Sequence, residues 1–196
     1  MLSAVVLAAG ESKRMNGRIK ALLPIEGTTF IERITACLLR ASVDEIIVVL
    51  GAAHETVRGK VSLGEAVILI NENWERGQLS SLRLGVQNLS TRSEGVLFTP
   101  VDHPFVTEST YEVLISVWKE HKEHVVVPAF MGRKGHPALF PRRLYGALLR
   151  DDLPNGARDI LYREKESVIF VPVGDPGVVQ DVDTPEDYRR MTGELP

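Results

Sequence analysis

At 196 residues, with 44% hydrophobic and 25% charged side chains, the chain is sized for one globular domain with a proper core. Its formal net charge of −3 excludes a broad basic field for nucleic acid, so any attraction to polyanions has to be local. The single cysteine, Cys37, excludes a disulfide framework and a cysteine metal cluster, and no run reaches the roughly eighteen uncharged residues that cross a bilayer.

In chain order, residues 3–9 are an apolar run suited to a central strand. No positive region precedes it, so it reads as a strand rather than a signal peptide, and the expected location is the cytoplasm. Phe30, Ile31, Ile34, Leu38 and Leu39 make a helical stripe in which Cys37 is core packing rather than a nucleophile. Residues 45–50 read as a β-branched strand, 54–60 as a short helix and 66–71 as a further strand, after which Leu79, Leu82, Val86 and Leu89 recur at helix spacing. Residues 95–99 are a strand bounded by Pro100. Thr107 or Ser109 caps the next helix, with Glu112 three residues beyond Ser109 and Tyr111, Leu114, Ile115 and Trp118 facing inward. Residues 125–127 read as strand, 135–140 as extended, 142–149 and 156–164 as helices and 168–173 as strand. A final helix opens at Thr184, with Pro185 in its first position. Such alternation predicts an α/β fold in three layers, a mostly parallel sheet between helices, with ligands outside the carboxyl ends of the strands.

The most informative segment follows the first strand: Leu7-Ala8-Ala9-Gly10, then Arg14 and Lys20. Small residues clear the strand end so that backbone N–H groups can approach an anion. Arg14 adds a planar fork for phosphate oxygens and Lys20 a mobile point charge. Neither G-x-x-x-x-G-K-[ST] nor G-x-G-x-x-G starts at Gly10, which removes the Walker-type ATPases and the dinucleotide fingerprint. Asp102, just past the strand at 95–99, suits Mg²⁺, a cation that takes one or two protein carboxylates together with phosphate oxygens and water. Asp183 is the second candidate, its other reading being an acid at a helix start. Asn73, Gly77, Ser80 and Ser81 offer close approach, hydroxyls and free N–H groups to a base or phosphate, while Ser80 equally suits a cap and Trp74 a core position. His103 reads as a turn or supporting residue, and no Ser/His/Asp or Cys/His arrangement stands out.

The run from Leu7 to Pro24 resembles the L-A-A-G-x-S-x-R-M-G-x-x-K-x-L-L-P signature of the MobA-like nucleotidyltransferases, and among them the molybdenum cofactor cytidylyltransferases. It departs in having six steps rather than five between Arg14 and Lys20, with Asn16 as the extra residue. The resemblance extends from Ser3 to Tyr188. Asp102-His103-Pro104 matches the family's D-x-P, with His103 where relatives often carry glutamine. Gly77 to Gly85 matches G-x-x-S-S-L-R-x-G, Gly132 to Pro137 matches G-x-x-G-H-P, Gly156-Ala157-Arg158 matches G-A-R, and Asp181 to Asp187 matches D-x-D-T-P-E-D.

This resemblance implies a Rossmann-like α/β/α nucleotidyltransferase fold and a Mg²⁺-dependent transfer of CMP from CTP to molybdopterin, releasing pyrophosphate. It implies that Leu7, Ala8, Ala9, Gly10, Arg14, Lys20, Asn73, Gly77, Ser80 and Ser81 bind the nucleotide, with Ala9 tilting the choice toward a pyrimidine. Lys20, Arg14 and Asp102 are the expected catalytic residues, Asp102 and Asp183 the metal ligands, and His136 and Arg158 the acceptor contacts. The 196 residues are then one domain, with 1–128 mainly nucleotide-binding and 129–180 mainly on the acceptor side. A molybdenum hydroxylase is the expected transient protein partner. Open alongside are a sugar-1-phosphate or cobinamide phosphate acceptor, and a non-catalytic carrier of molybdenum cofactor.

Overall fold

Between strand β1 (Leu2–Ala8) and a short hairpin, β2 (Pro24–Ile25) with β3 (Thr28–Thr29), the chain runs through the loop that carries Arg14 and Lys20. Then come α1 (Phe30–Arg40), β4 (Glu45–Leu50), α2 (His54–Arg58), β5 (Val67–Ile70), α3 (Gln78–Gln87), β6 (Gly95–Pro100), α4 (Glu108–Glu120) and β7 (Val125–Phe130). The remainder is β8 (Arg133–Lys134), β9 (Ala138–Pro141), α5 (Tyr145–Leu148), α6 (Ala157–Arg163), β10 (Val168–Pro172) and α7 (Pro185–Thr192). This computed structural model describes residues 1–150 and 152–195.

Among the described residues, eight strands form one sheet in the order β10-β7-β9-β6-β1-β4-β5, with β8 paired to β7. The pairs β1–β4, β1–β6, β4–β5 and β7–β10 are parallel, and β9 runs antiparallel between β6 and β7. Alternate residues of β1 feed two separate cores, as the period-2 geometry of a strand requires. Ala4 and Val6 join Phe30, Ile34, Leu38, Tyr111, Leu114, Trp118 and Tyr188 on one face. Val5 and Leu7 join Leu82, Val86, Leu144, Leu148 and Ile160 on the other. The sheet is therefore covered on both sides, which explains why β1 and β4 read as continuous apolar runs. Burying a side chain such as Phe30 in the first core or Leu82 in the second is worth roughly 1.5–3 kcal/mol, so both cores contribute heavily to stability. No helix among the described residues is long and apolar enough to cross a membrane.

Register decides where the site lies. Leu7 pairs with Val49 on one side and Pro100 on the other, so the carboxyl ends of three neighbouring parallel strands align. The segments that leave them, from Ala9, Gly51 and Val101, emerge side by side, and the Ala52 and Val101 N–H groups donate to the Ala9 and Leu7 carbonyls at 3.2 and 3.0 Å.

One local expectation is narrowed and one needs correction. Of the two candidate caps for α4, the structure takes Thr107 and not Ser109 with Glu112: the helix begins at Glu108, and the buried Asp175 takes the Thr107 N–H and the hydroxyls of Thr107 and Thr110 at 2.7–2.9 Å. The stretch expected as one helix at 142–149 is a 3₁₀ turn at Arg142–Leu144 leading into the four-residue α5. By contrast, α7 starts as anticipated: Thr184 and Asp187 form a reciprocal capping box, with Pro185 at the first turn.

Candidate functional site

The loop after β1 turns through left-handed backbone at Ser12 (φ 58°), then again at Asn16 (φ 52°) and Gly17 (φ 80°). Asparagine and glycine enter that region at the lowest steric cost. Met15, fully buried, pins the 3₁₀ turn at Lys13–Met15 to the core. The Ser12 hydroxyl accepts the Lys20 N–H at 3.1 Å, which brings the loop back to the strand ends.

There Lys20 meets both aspartates. Its Nζ lies 2.5 Å from Asp183 Oδ1 and 3.4 Å from Asp102 Oδ2, and Arg14 Nη2 lies 2.8 Å from Asp183 Oδ2. The two acids are held by main chain: the Val182 N–H donates to the Asp102 carbonyl at 2.9 Å. Asp183 is further fixed by its place just before the α7 cap, where its N–H reaches Asp187 Oδ2 at 3.3 Å. Burial pushes the Asp183 carboxyl up, but the Lys20 hydrogen bond and the charges of Lys20 and Arg14 outweigh it and hold the group below the usual aspartate range. The Lys20 side chain is 13% exposed, so this attraction is weakly screened.

Leu7, Ala8, Ala9, Gly10, Arg14, Lys20, Gly77, Ser81, Asp102 and Asp183 all border one cavity of about 320 Å³. Asn73 and Ser80 do not. The Ser80 Oγ instead sits 2.8 and 3.1 Å from the Gly77 and Asn73 carbonyls, bracing the turn that precedes α3. Trp74, read as core, lines this cavity together with Gln78. Gly51 was not singled out from the sequence, yet a Cβ there would overlap the Ala9 carbonyl and the Trp74 and Ala9 Cβ atoms, so its lack of a side chain lets the strand ends close up. Its signal was a glycine directly after an apolar strand.

His136 and Arg158 border a second, larger cleft of about 830 Å³, which meets the first at Gly77 and Gln78. Arg76, Arg133 and Lys134 give it cationic walls, and Phe98, Val127 and Leu161 an apolar lining. His103 lies here too, its ring 4.8 Å from that of His136 between centroids, and Nδ1 of each is buried without a hydrogen-bond partner among the described residues. Burial, aided by the neighbouring His103 and Arg158, drops the His136 pKa to about 3, so the ring is neutral at physiological pH. Both clefts draw on early and late parts of the chain: Asp183 completes the first, and Phe98 and His103 contribute to the second.

The family model described as the MobA-like NTP transferase domain matches residues 4–168. The nicotine blue oxidoreductase of Paenarthrobacter nicotinovorans is 26% identical over 97% of this chain and 96% of its own length. Rv0371c of Mycobacterium tuberculosis H37Rv superposes with a TM-score of 0.85 at 31% identity, covering 98% of this chain and 97% of that one. A second structure of Rv0371c, a complex with manganese, superposes with a TM-score of 0.80 at 28% identity over 99% of both. Mth528, a nucleotidyl transferase from Methanothermobacter thermautotroptrophicus, gives a TM-score of 0.84 at 25% identity over 98% of this chain and 96% of that one. With the matched domain spanning the loop, the strand ends and Asp102, the chain belongs to the MobA-like NTP transferase domain family and is a nucleotidyltransferase.

Proposed function

We propose that the chain transfers CMP from CTP to molybdopterin with Mg²⁺ as the metal and pyrophosphate as the leaving group. The observation that carries this reading is the convergence of Asp102 and Asp183 on Lys20 Nζ, beside a small-residue loop and a cavity of about 320 Å³. Two carboxylates that already share one cation are the donor set a hard divalent ion uses when phosphate oxygens and water complete its shell. The two protein ligands in this reading are Asp102 and Asp183, both within reach of Lys20 Nζ. The manganese complex of Rv0371c supports a divalent ion in this family. When bound, the ion supplies charge neutralisation at the α-phosphate and the leaving pyrophosphate.

In this reading the backbone after Gly10 and the Arg14 guanidinium hold the β- and γ-phosphates, and Lys20 turns from the aspartates to the α-phosphate as negative charge grows there. An acceptor phosphate oxygen attacks the α-phosphorus, and the bond to the bridging oxygen breaks with its electron pair leaving on pyrophosphate. No side chain is needed as a base, because a phosphomonoester with a second pKa of about 6 is already ionised near neutrality. His136 and Arg158 face the acceptor in the adjoining cleft. Residues 1–128 are mainly the donor side and 129–180 mainly the acceptor side, with Phe98 and His103 crossing to the acceptor cleft and Asp183, beyond both ranges, completing the donor cavity. A molybdenum hydroxylase is the protein partner that receives the product.

The test is a panel of nucleoside triphosphates crossed with phosphorylated acceptors, read as pyrophosphate release with Mg²⁺ or Mn²⁺. Release from CTP that depends on molybdopterin supports the reading. Release that depends on a sugar phosphate or cobinamide phosphate reassigns the acceptor, and silence across the panel points to a carrier.

A further inference from the structure

We propose that Asn71 sets the hydrogen-bond polarity of the nucleotide cleft, acting as a positioning residue that leaves Ser81 as an O–H donor to an acceptor atom of the base; this rests on the nucleotide reading above. Asn71 follows β5 and is 5% exposed. Its amide orientation is fixed by chemistry: the Asn73 N–H, which can only donate, reaches Asn71 Oδ1 at 2.9 Å, so the opposite end is the NH₂ group. That group has two hydrogens and spends one on each serine, donating to Ser80 Oγ and Ser81 Oγ at 2.9 Å. Both serines are thereby acceptors toward Asn71, and each keeps one hydrogen to place. Ser80 places its own on the Gly77 or Asn73 carbonyl. Ser81, 2% exposed and lining the cavity of about 320 Å³, has no acceptor for its hydrogen among the described residues. A buried hydroxyl with one unspent donor, facing a cavity, matches a carbonyl oxygen or ring nitrogen and disfavours an amino group.

The test uses equilibrium binding of CTP, UTP, GTP and ATP, with inorganic tripolyphosphate as the probe for the phosphate cradle alone. Asn71→Asp keeps the shape but replaces two donors by acceptors, so the Ser81 hydrogen is drawn to the carboxylate and its lone pairs face the cavity. The preferred nucleotide is expected to bind about tenfold more weakly, with tripolyphosphate affinity unchanged. Ser81→Ala should give a similar loss, Ser81→Thr should retain affinity, and Ser81→Ala added to Asn71→Asp should cost nothing more. If Asn71→Asp does not fold, the Ser81→Ala and Ser81→Thr pair decides. Wild-type binding of nucleotides whose strength and ranking survive Asn71→Asp or Ser81→Ala overturns the Asn71 assignment and leaves the nucleotide reading standing. Wild-type protein that binds neither tripolyphosphate nor any nucleotide overturns both.

Discussion

The Val182 N–H donates to the Asp102 carbonyl at 2.9 Å, and this main-chain bond is what brings two acids from distant parts of the chain to face one lysine. Because backbone holds the carboxylates, Lys20 is their counter-ion rather than their scaffold. Lys20→Met should leave the fold intact but expose the two acids to each other, lowering stability by about 1–2 kcal/mol, below the 3–5 expected for a fully buried pair. Added Mg²⁺ or Mn²⁺ should raise the melting temperature of this variant more than that of wild type, while turnover falls about 10²–10³-fold. Thermal melts across a metal titration, beside pyrophosphate release, read both effects, and a variant with wild-type turnover removes Lys20 from the chemistry.

Gly51 tests whether the strand ends must touch. An added methyl would overlap the Ala9 carbonyl and Trp74 Cβ, and backbone cannot yield as a flexible side chain can. Gly51→Ala should therefore cost about 1–3 kcal/mol, as overpacking does, and weaken tripolyphosphate binding by pushing the Ala9–Gly10 segment out of place. Gly10→Ala is the control for stability alone, since nothing lies within 4 Å of a Cβ there. Denaturant melts that show equal stability for the two variants would refute the argument.

What was legible in the sequence was whatever short-range chemistry dictates. The strand at Glu45–Leu50 and the cap at Thr184 agree with the structure to the residue, because an apolar run and a Thr-Pro-x-Asp start leave few alternatives. The α4 start shows the limit: local pattern left Thr107 and Ser109 both open, and the choice of Thr107 is accompanied by Asp175, a partner from far along the chain. Strand β9 was visible only as an extended stretch, since its antiparallel place between β6 and β7 depends on partners that no local pattern names. The site divides in the same way. Gly10, Arg14, Lys20, Asp102 and Asp183 sit in readable motifs, whereas Gly51, Gln78 and Asn71 gain their importance only from what the folded chain sets against them.

His136 predicts a pH dependence. Its folded pKa of about 3 lies below the ordinary histidine value of 6.5, so between those limits the unfolded chain binds the proton and the folded one does not. Stability should be fully present above pH 6.5 and decline as pH falls toward 3, by up to about 1.4 kcal/mol per pH unit from this group. His136→Gln should flatten the decline between pH 6.5 and 4.5, a window above the titration of most carboxylates. Urea midpoints across that range, compared between wild type and variant, check it; parallel curves would show that the ring is hydrated and titrates normally.

Thr184 separates stability from geometry at the metal-side acid. Its hydroxyl accepts the Asp187 N–H at 3.1 Å and donates to Asp187 Oδ2 at 2.9 Å, and the neighbouring Asp183 N–H leans on the same carboxylate. Thr184→Ala should lose about 1 kcal/mol, the usual worth of an N-cap, whereas Thr184→Ser should lose almost nothing. If the cap also aims Asp183, Thr184→Ala lowers pyrophosphate release under conditions where the protein is still fully folded, and the loss is partly recovered at higher divalent metal concentration. A variant that loses stability but keeps the wild-type metal dependence would assign the capping box to the helix alone, leaving the Val182–Asp102 bond to position the acid.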